Sequence, residues 1–304
     1  MNLKDIFKEV KPYQTKKDWP SLYEYTSNLK SADLAGNDIT ISFAHYFRSL
    51  AAYNLGQLDE SWSEIKLSIQ AMPINRYSQR LRDRIQNDYV AKDPPKLFGI
   101  VYSCQKYLDR AKIVHEKIRS SITSKIIVGN PDQQELFVED GDITYLKVSD
   151  NYESLPLKTT AALEYAFLRY PQSACIKIDD DLDIQNPDQL FNSVQQSIES
   201  KKHYFGHLMG EDLHCKSWHF GKCETLKFNR QLYGRPYLGQ WCNGPFYTLS
   251  REAIEAFNYF NTRYPSYISG ELFEDKYVGD VLRNQGIMPT HISFSQHIES
   301  NQHV

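Results

Sequence analysis

No stretch of this 304-residue chain approaches the roughly 20 apolar residues of a membrane-spanning helix. Its opening segment, MNLKDIFKEVKPYQTKKDW, lacks the apolar centre of a secretory leader. Net charge is only −3, so charge calls for no polyanion partner, and nucleic acid is not expected. The five cysteines, an odd number between Cys104 and Cys242, do not make a disulfide framework. Together these absences lead us to expect a cytoplasmic protein, with the inner face of a membrane as a peripheral place of work. Neither a G-x-G-x-x-G fingerprint nor a P-loop occurs, which removes the commonest phosphate-cradling turns.

What is present is globular: 41% hydrophobic and 24% charged residues, with 21 tyrosines. Residues 1–92 read as helical. The stretch Ser42 to Asn75 holds two amphipathic segments around NLGQLDE, with small residues at Ala44, Ala51 and Ala52 that let helices approach. Gly56 ends the first and Pro73 follows the second. This resembles one tetratricopeptide repeat, which cannot bury both faces alone and needs flanking helices. Two readings stand: a module that docks a protein partner, or a helical cap on the next domain.

AKDPPK (Ala91 to Lys96) is a linker whose prolines stop helix and sheet alike. Residues 93–304 then change pattern. LFGIVYS, KIIVGN, ITYLKV and ACIKIDDD read as strands, with LDRAKIVHEKIRSS and LKTTAALEYAFLRYP as helices between them. Such alternation predicts an α/β domain: a mostly parallel, Rossmann-like sheet with helices on both faces.

Three aspartates, Asp179, Asp180 and Asp181, then fall at the carboxyl end of a parallel strand, where open α/β sheets bind ligands. Adjacent carboxylates repel, and a hard divalent cation offsets that repulsion. Mg²⁺ or Mn²⁺ takes one or two carboxylates plus substrate phosphates. The competing reading is a solvated acidic turn. Glu274 and Asp275 open an amphipathic helix in FEDKYVGDVLRNQGI, where the helix dipole favours acids. In GQWCNGPF, Trp241 and Asn243 are placed on the wall of a pocket, with Gly244 at its floor; a tight turn beside the core is the alternative. His214, Cys215, His219 and Cys223 have zinc-ligand chemistry, but their spacing fits no usual finger, so a pocket wall is expected there.

The segment NYESLPLKTTAALEYAFLRYPQSACIKIDDDLDIQNPDQL resembles the signature block of the β-1,3-galactosyltransferase and fringe-like family, glycosyltransferase family 31. Tyr152, Leu157, Lys158, Thr159, Lys177 and the triplet occupy its places. YGRPYLGQWCNGPFYTLSREAIEAF, through Tyr233, Pro236, Tyr237, Gly244, Tyr247 and Ser250, is similar to a second block. FEDKYVGDVLRNQGI is similar to the family's E-D-V-Y-V-G helix, with Lys276 where the family usually has valine. Ser103 and Arg110 fit the first strand and the helix after it. The resemblance covers about residues 97–300 and implies a GT-A-like fold behind the helical region. It further implies an inverting, metal-dependent transfer of galactose or an N-acetylhexosamine from a UDP-sugar to a glycan or lipid-linked acceptor, in β-1,3 linkage.

By the same resemblance Asp275 is the base, and Glu274 contacts the sugar or braces that base. Asp181 and His297, in F-S-Q-H-I-E, hold Mn²⁺ or Mg²⁺, with His291 as the competing ligand. Ser103, Arg110, Lys158, Asp179 and Asp180 lie on the nucleotide-sugar side, with Trp241 and Asn243 towards the sugar and Gly244 beneath it. Two other classes stay open: a nucleotide-hydrolysing or phosphoryl-transfer enzyme using the same acids, and a non-catalytic adaptor acting through its helices.

Overall fold

The computed structural model describes residues 2–29, 34, 37–210 and 215–300. The chain divides into two compact units: Met1–Val90 with Thr262–Pro265, and Ala91–Asn261 with Ser266–Val304. Among the described residues no helix is long and apolar enough to cross a membrane.

The first unit holds α1 (Leu3–Lys16), α2 (Trp19–Ser27), α3 (Asp38–Asn54), α4 (Leu58–Ala71) and α5 (Arg76–Tyr89). Small residues let α3 and α4 pack closely, with Ala44, Ala51 and Ala52 all buried. Two serine pairs lock them together. Ser49 Oγ donates to the Ser61 carbonyl at 2.8 Å and Ser61 Oγ to the Ser49 carbonyl at 2.9 Å. Ser42 and Ser68 repeat the exchange at 2.9 and 2.7 Å. Each hydroxyl thereby meets its need for a partner inside a dry contact.

The second unit contains, in chain order, β1 (Leu97–Tyr102), α6 (Leu108–Ile118), β2 (Thr123–Gly129), β3 (Phe137–Asp140), β4 (Ile143–Leu146), α7 (Leu155–Arg169), β5 (Ala174–Asp179) and β6 (Leu182–Ile184). There follow α8 (Pro187–Glu199), β7 (Tyr204–Met209), β8 (Trp241–Leu249), α9 (Arg251–Arg263), α10 (Glu274–Asn284), β9 (Thr290–His291) and β10 (Ile298–Ser300). The eight-stranded sheet runs β3-β4-β2-β1-β5-β8-β7-β9. It is mostly parallel, with β3 and β8 antiparallel to their neighbours. β6 and β10 form a separate antiparallel pair.

Alternation along β1 separates two cores, as a period of two requires. Phe98, Ile100 and Tyr102 face the side packed by α7, α9 and α10. Leu97 and Val101 face α6 and α8. Helices thus cover both faces of the sheet. Tyr102 is in register with Asp179, so the strand ends β1 and β5 present Ser103 and Asp180 side by side.

Candidate active site

The site forms where β1 and β5 end and where α10 begins against β8. Hydrogen bonds sort the three aspartates into different jobs. Asp179 binds the buried ammonium of Lys177. Asp180 accepts from Ser103 Oγ at 2.5 Å and from Arg110 Nη2 at 2.9 Å. Asp181 has only a 3.7 Å approach from the same Arg110, and its side chain is 39% exposed. Burial pushes the Asp179 carboxyl up to about 6, against the pull of Lys177. Burial raises Asp180 too, opposed by Ser103 and Arg110.

Lys177 lies inside an otherwise apolar strand, and its ammonium bonds the Gly244 carbonyl at 2.5 Å and Glu274 Oε1 at 3.0 Å. Burial alone lowers its pKa, but Asp179 and Glu274 outweigh that and raise it. Glu274 Oε2 accepts from Tyr247 at 3.1 Å and from Thr159 at 3.4 Å. Beneath this layer the buried Lys158 bonds Asp150 at 2.6 Å and the Ser103 carbonyl. Asp150 in turn accepts from Gly129 N at 2.8 Å and Gln105 N at 2.7 Å, tying the ends of β1, β2 and α7 together. Lys158 therefore braces the site from below, and burial lowers its pKa. Tyr102 lies between the two ammonium groups, 4.8 Å from Lys158 and 5.1 Å from Lys177.

Asp275 is half-buried in the first turn of α10. Its Oδ2 accepts from Trp241 Nε1 and from Gly244 N, both at 3.1 Å, and its Oδ1 from Lys276 N at 2.7 Å. A carboxylate has about four acceptor positions. One on Oδ1 is left over, on a carboxyl held by three N–H groups. Burial raises the pKa of both Asp275 and Glu274. Trp241 is 1% exposed and stacks under Tyr237 at 5.3 Å, so it orients Asp275 rather than offering a face to sugar. Asn243 is half-buried beside Gly244 in β8.

His297 is buried, with Nδ1 lacking any hydrogen-bond partner. Its carbonyl accepts from Gln185 N at 2.9 Å, just past the end of β6 away from the triplet. His291 is exposed on β9, its ring 5.4 Å from that of His207. Among the described residues no three His, Cys, Asp or Glu side chains are gathered as a metal cage. The exposed, sparsely bonded Asp181 carboxylate nonetheless fits a hard divalent ion that completes its shell with substrate oxygens and water. The orphaned Nδ1 of His297 is a second donor in want of a partner. His214 lies outside the described residues, while His219 Nε2 is taken by the Gln231 carbonyl at 2.9 Å and Cys223 Sγ by the His219 carbonyl at 3.6 Å.

Sequence reasoning gave Lys177 no role. The signal was a lysine in the inward-facing part of ACIKI, which needs buried counter-charges. Asp150 carried no signal, because its partners come from three separate segments.

Residues 116–293 match the family model for galactosyltransferase, well over half of the chain. No curated protein matches the sequence. Solved structures similar to this chain include two enzymes. One is the 2-C-methyl-D-erythritol 4-phosphate cytidylyltransferase (IspD) of Francisella tularensis, with TM-score 0.39, 12% identity, and 65% of this chain and 90% of that chain covered. The other is the mannosyltransferase PcManGT of Pyrobaculum calidifontis in complex with GDP-Man and Mn²⁺, with TM-score 0.35, 13% identity, and 84% of this chain and 67% of that chain covered.

Proposed function

The chain belongs to the galactosyltransferase family and is a glycosyltransferase; from that premise we propose an inverting transfer of a hexose from a UDP-sugar to a glycan or lipid-linked hydroxyl, with Asp275 as base. The donated sugar is galactose or an N-acetylhexosamine. The observation that carries this reading is the seating of Asp275: three N–H donors fix the carboxylate and leave one Oδ1 position for an acceptor hydroxyl.

In this scheme the acceptor oxygen attacks the anomeric carbon and its proton passes to Asp275. The bond from that carbon to the diphosphate oxygen breaks, and attack opposite the leaving group inverts the centre. Glu274, pinned by Lys177, Tyr247 and Thr159, holds the wall beside the base. Ser103, Arg110 and Asp180 form one bonded set at the end of β1, which suits the nucleotide. Asp181, with His297 as second donor, would hold Mn²⁺ or Mg²⁺. Bound there, such an ion would neutralise charge developing on the departing diphosphate. The β-1,3 linkage rests on the resemblance of the K-x-D-D-D and E-D blocks.

For the helical unit we propose a tetratricopeptide-like hairpin, supported by the close α3–α4 contact through alanines and paired serines.

The test is a UDP-release screen over UDP-sugars with Mn²⁺, followed by linkage analysis. Acceptor-dependent release from one UDP-sugar, with an inverted product, supports the reading. Release to water alone, unaffected by any acceptor, overturns it.

A further inference from the structure

A cavity of about 450 Å³ is lined by Tyr237, Leu238, Gly239, Gln240, Arg283 and Met288 among others. That volume is in the range of small-molecule sites. Arg283, in the last turn of α10, is the only charged side chain among the described lining residues. Its guanidinium is under-used. Among the described residues Nη2 donates to the Gln240 carbonyl at 2.7 Å, Nη1 meets only the Met288 sulfur at 3.7 Å, and the buried Nε has no partner. The guanidinium thus has one oxygen acceptor among the described residues for five N–H donors, which leaves donors for an oxyanion. The nearby carboxylate of Asp280 is held by Lys276 at 2.7 Å and does not fill that role.

The seat of this arginine is built. A Cβ at residue 239 would lie 2.4 Å from Arg283 Nη2 and 2.5 Å from Cζ, so glycine there leaves the space the guanidinium occupies. Leu238 and Met288, 51% and 56% exposed, offer apolar wall to the C–H faces of a sugar. The pocket also starts one ring from the proposed base: its Tyr237 stacks on Trp241, whose Nε1 donates to Asp275.

We infer that this cavity is an acceptor subsite whose Arg283 receives an oxyanion carried by the acceptor saccharide, either a uronate carboxylate or a phosphate. The inference rests on the transferase reading above and names the acceptor class for it.

The experiment pairs acceptors that differ only in charge: a glucuronate-bearing oligosaccharide against its glucose counterpart, and a phosphorylated against an unphosphorylated one. Arg283→Gln should raise KM for the charged member about tenfold more than for the neutral one, with Arg283→Lys between. The pair that shows the effect identifies the source of the oxyanion. Gly239→Ala, which displaces the guanidinium without removing its charge, should shift KM in the same direction, and melting curves check that each variant is folded. Equal effects on charged and neutral acceptors, or none, overturn the inference. If no UDP-sugar is turned over, the proposed UDP-sugar transfer fails instead. Titration of methyl glucuronide and inorganic phosphate then tests the pocket alone. Binding that is lost in Arg283→Gln upholds the anion site, and no binding to the unaltered protein removes it.

Discussion

Lys177 Nζ stands 3.0 Å from Glu274 Oε1 while also bonding Asp179, so acids from β5 and from α10 share one buried cation. This couples the strand end proposed to meet the donor with the helix that carries the proposed base. Burial lifts both carboxyls, Asp179 to about 6, and Lys177 opposes that in each.

The base makes the first prediction. Asp275 must be ionised to take a proton, and burial raises its pKa above that of a free aspartate. Transfer should therefore fall on acidification, through an apparent pKa above that of a free aspartate, as the folded enzyme takes up that proton. Asp275→Asn should lower kcat about 10²–10⁴-fold and leave UDP affinity within about twofold. A kcat profile against pH and a UDP titration check both. A variant that keeps near-normal kcat places the base elsewhere.

The parts of this site that were legible are those with local signals. ACIKI followed by three acids reads as a strand end, and FED before an amphipathic run reads as a helix start. Which aspartate is spoken for was not legible, because Ser103 and Arg110 reach Asp180 only through the pairing of β1 with β5. Trp241 looked like a sugar platform, since tryptophan near glycine suits one; its burial follows from Gly279 and Tyr237, which only the fold brings to it. The short strands β3, β6 and β10 escaped because three or four residues are too few to show a period.

Metal dependence gives the second prediction. Asp181→Ala should abolish Mn²⁺-dependent UDP binding, because the other two aspartates already hold Lys177, Ser103 and Arg110. His297→Ala should weaken Mn²⁺ affinity more than His291→Ala, since His297 is buried with an unpartnered nitrogen and His291 is exposed against His207. Chelator treatment and Mn²⁺ titration of UDP binding read this out. Unchanged Mn²⁺-dependent binding in Asp181→Ala excludes that residue as ligand, and the reverse histidine order exchanges their assignments.

Lys276 makes the third. It stands where the resembled family usually has valine, and here it is 1% exposed, with Asp280 at 2.7 Å and Glu271 at 3.3 Å. Glu271 also binds Arg235 and the Tyr233 hydroxyl, but Lys276 is the cation bonded to Asp280. Lys276→Val would leave Asp280 buried without its bonded cation, a loss of about 3–5 kcal/mol. Lys276→Val with Asp280→Val should recover much of it. Urea denaturation of the two variants decides, and a single variant as stable as its parent would show the pairing is idle.

Gly279 supplies the last. A Cβ there would come within 2.5 Å of Trp241 Cβ and 3.3 Å of its Cα, so α10 lies against β8 closely enough to exclude a methyl group. In an exposed helix, glycine to alanine gains up to about 1 kcal/mol. Here a Cβ cannot rotate away from a neighbouring Cβ, and overpacking of this kind costs about 1–3 kcal/mol. Gly279→Ala should therefore destabilise the fold and push Trp241 Nε1 off Asp275, now 3.1 Å apart. Transfer should drop more than stability does, because the base loses one of the groups that aim it while the ends of β1 and β5 stay in place. Urea melts and kcat measured on one preparation check the pair. A variant that gains stability as a helix-interior alanine would, with kcat intact, shows that α10 can draw back from β8 and that Asp275 is not aimed by Trp241.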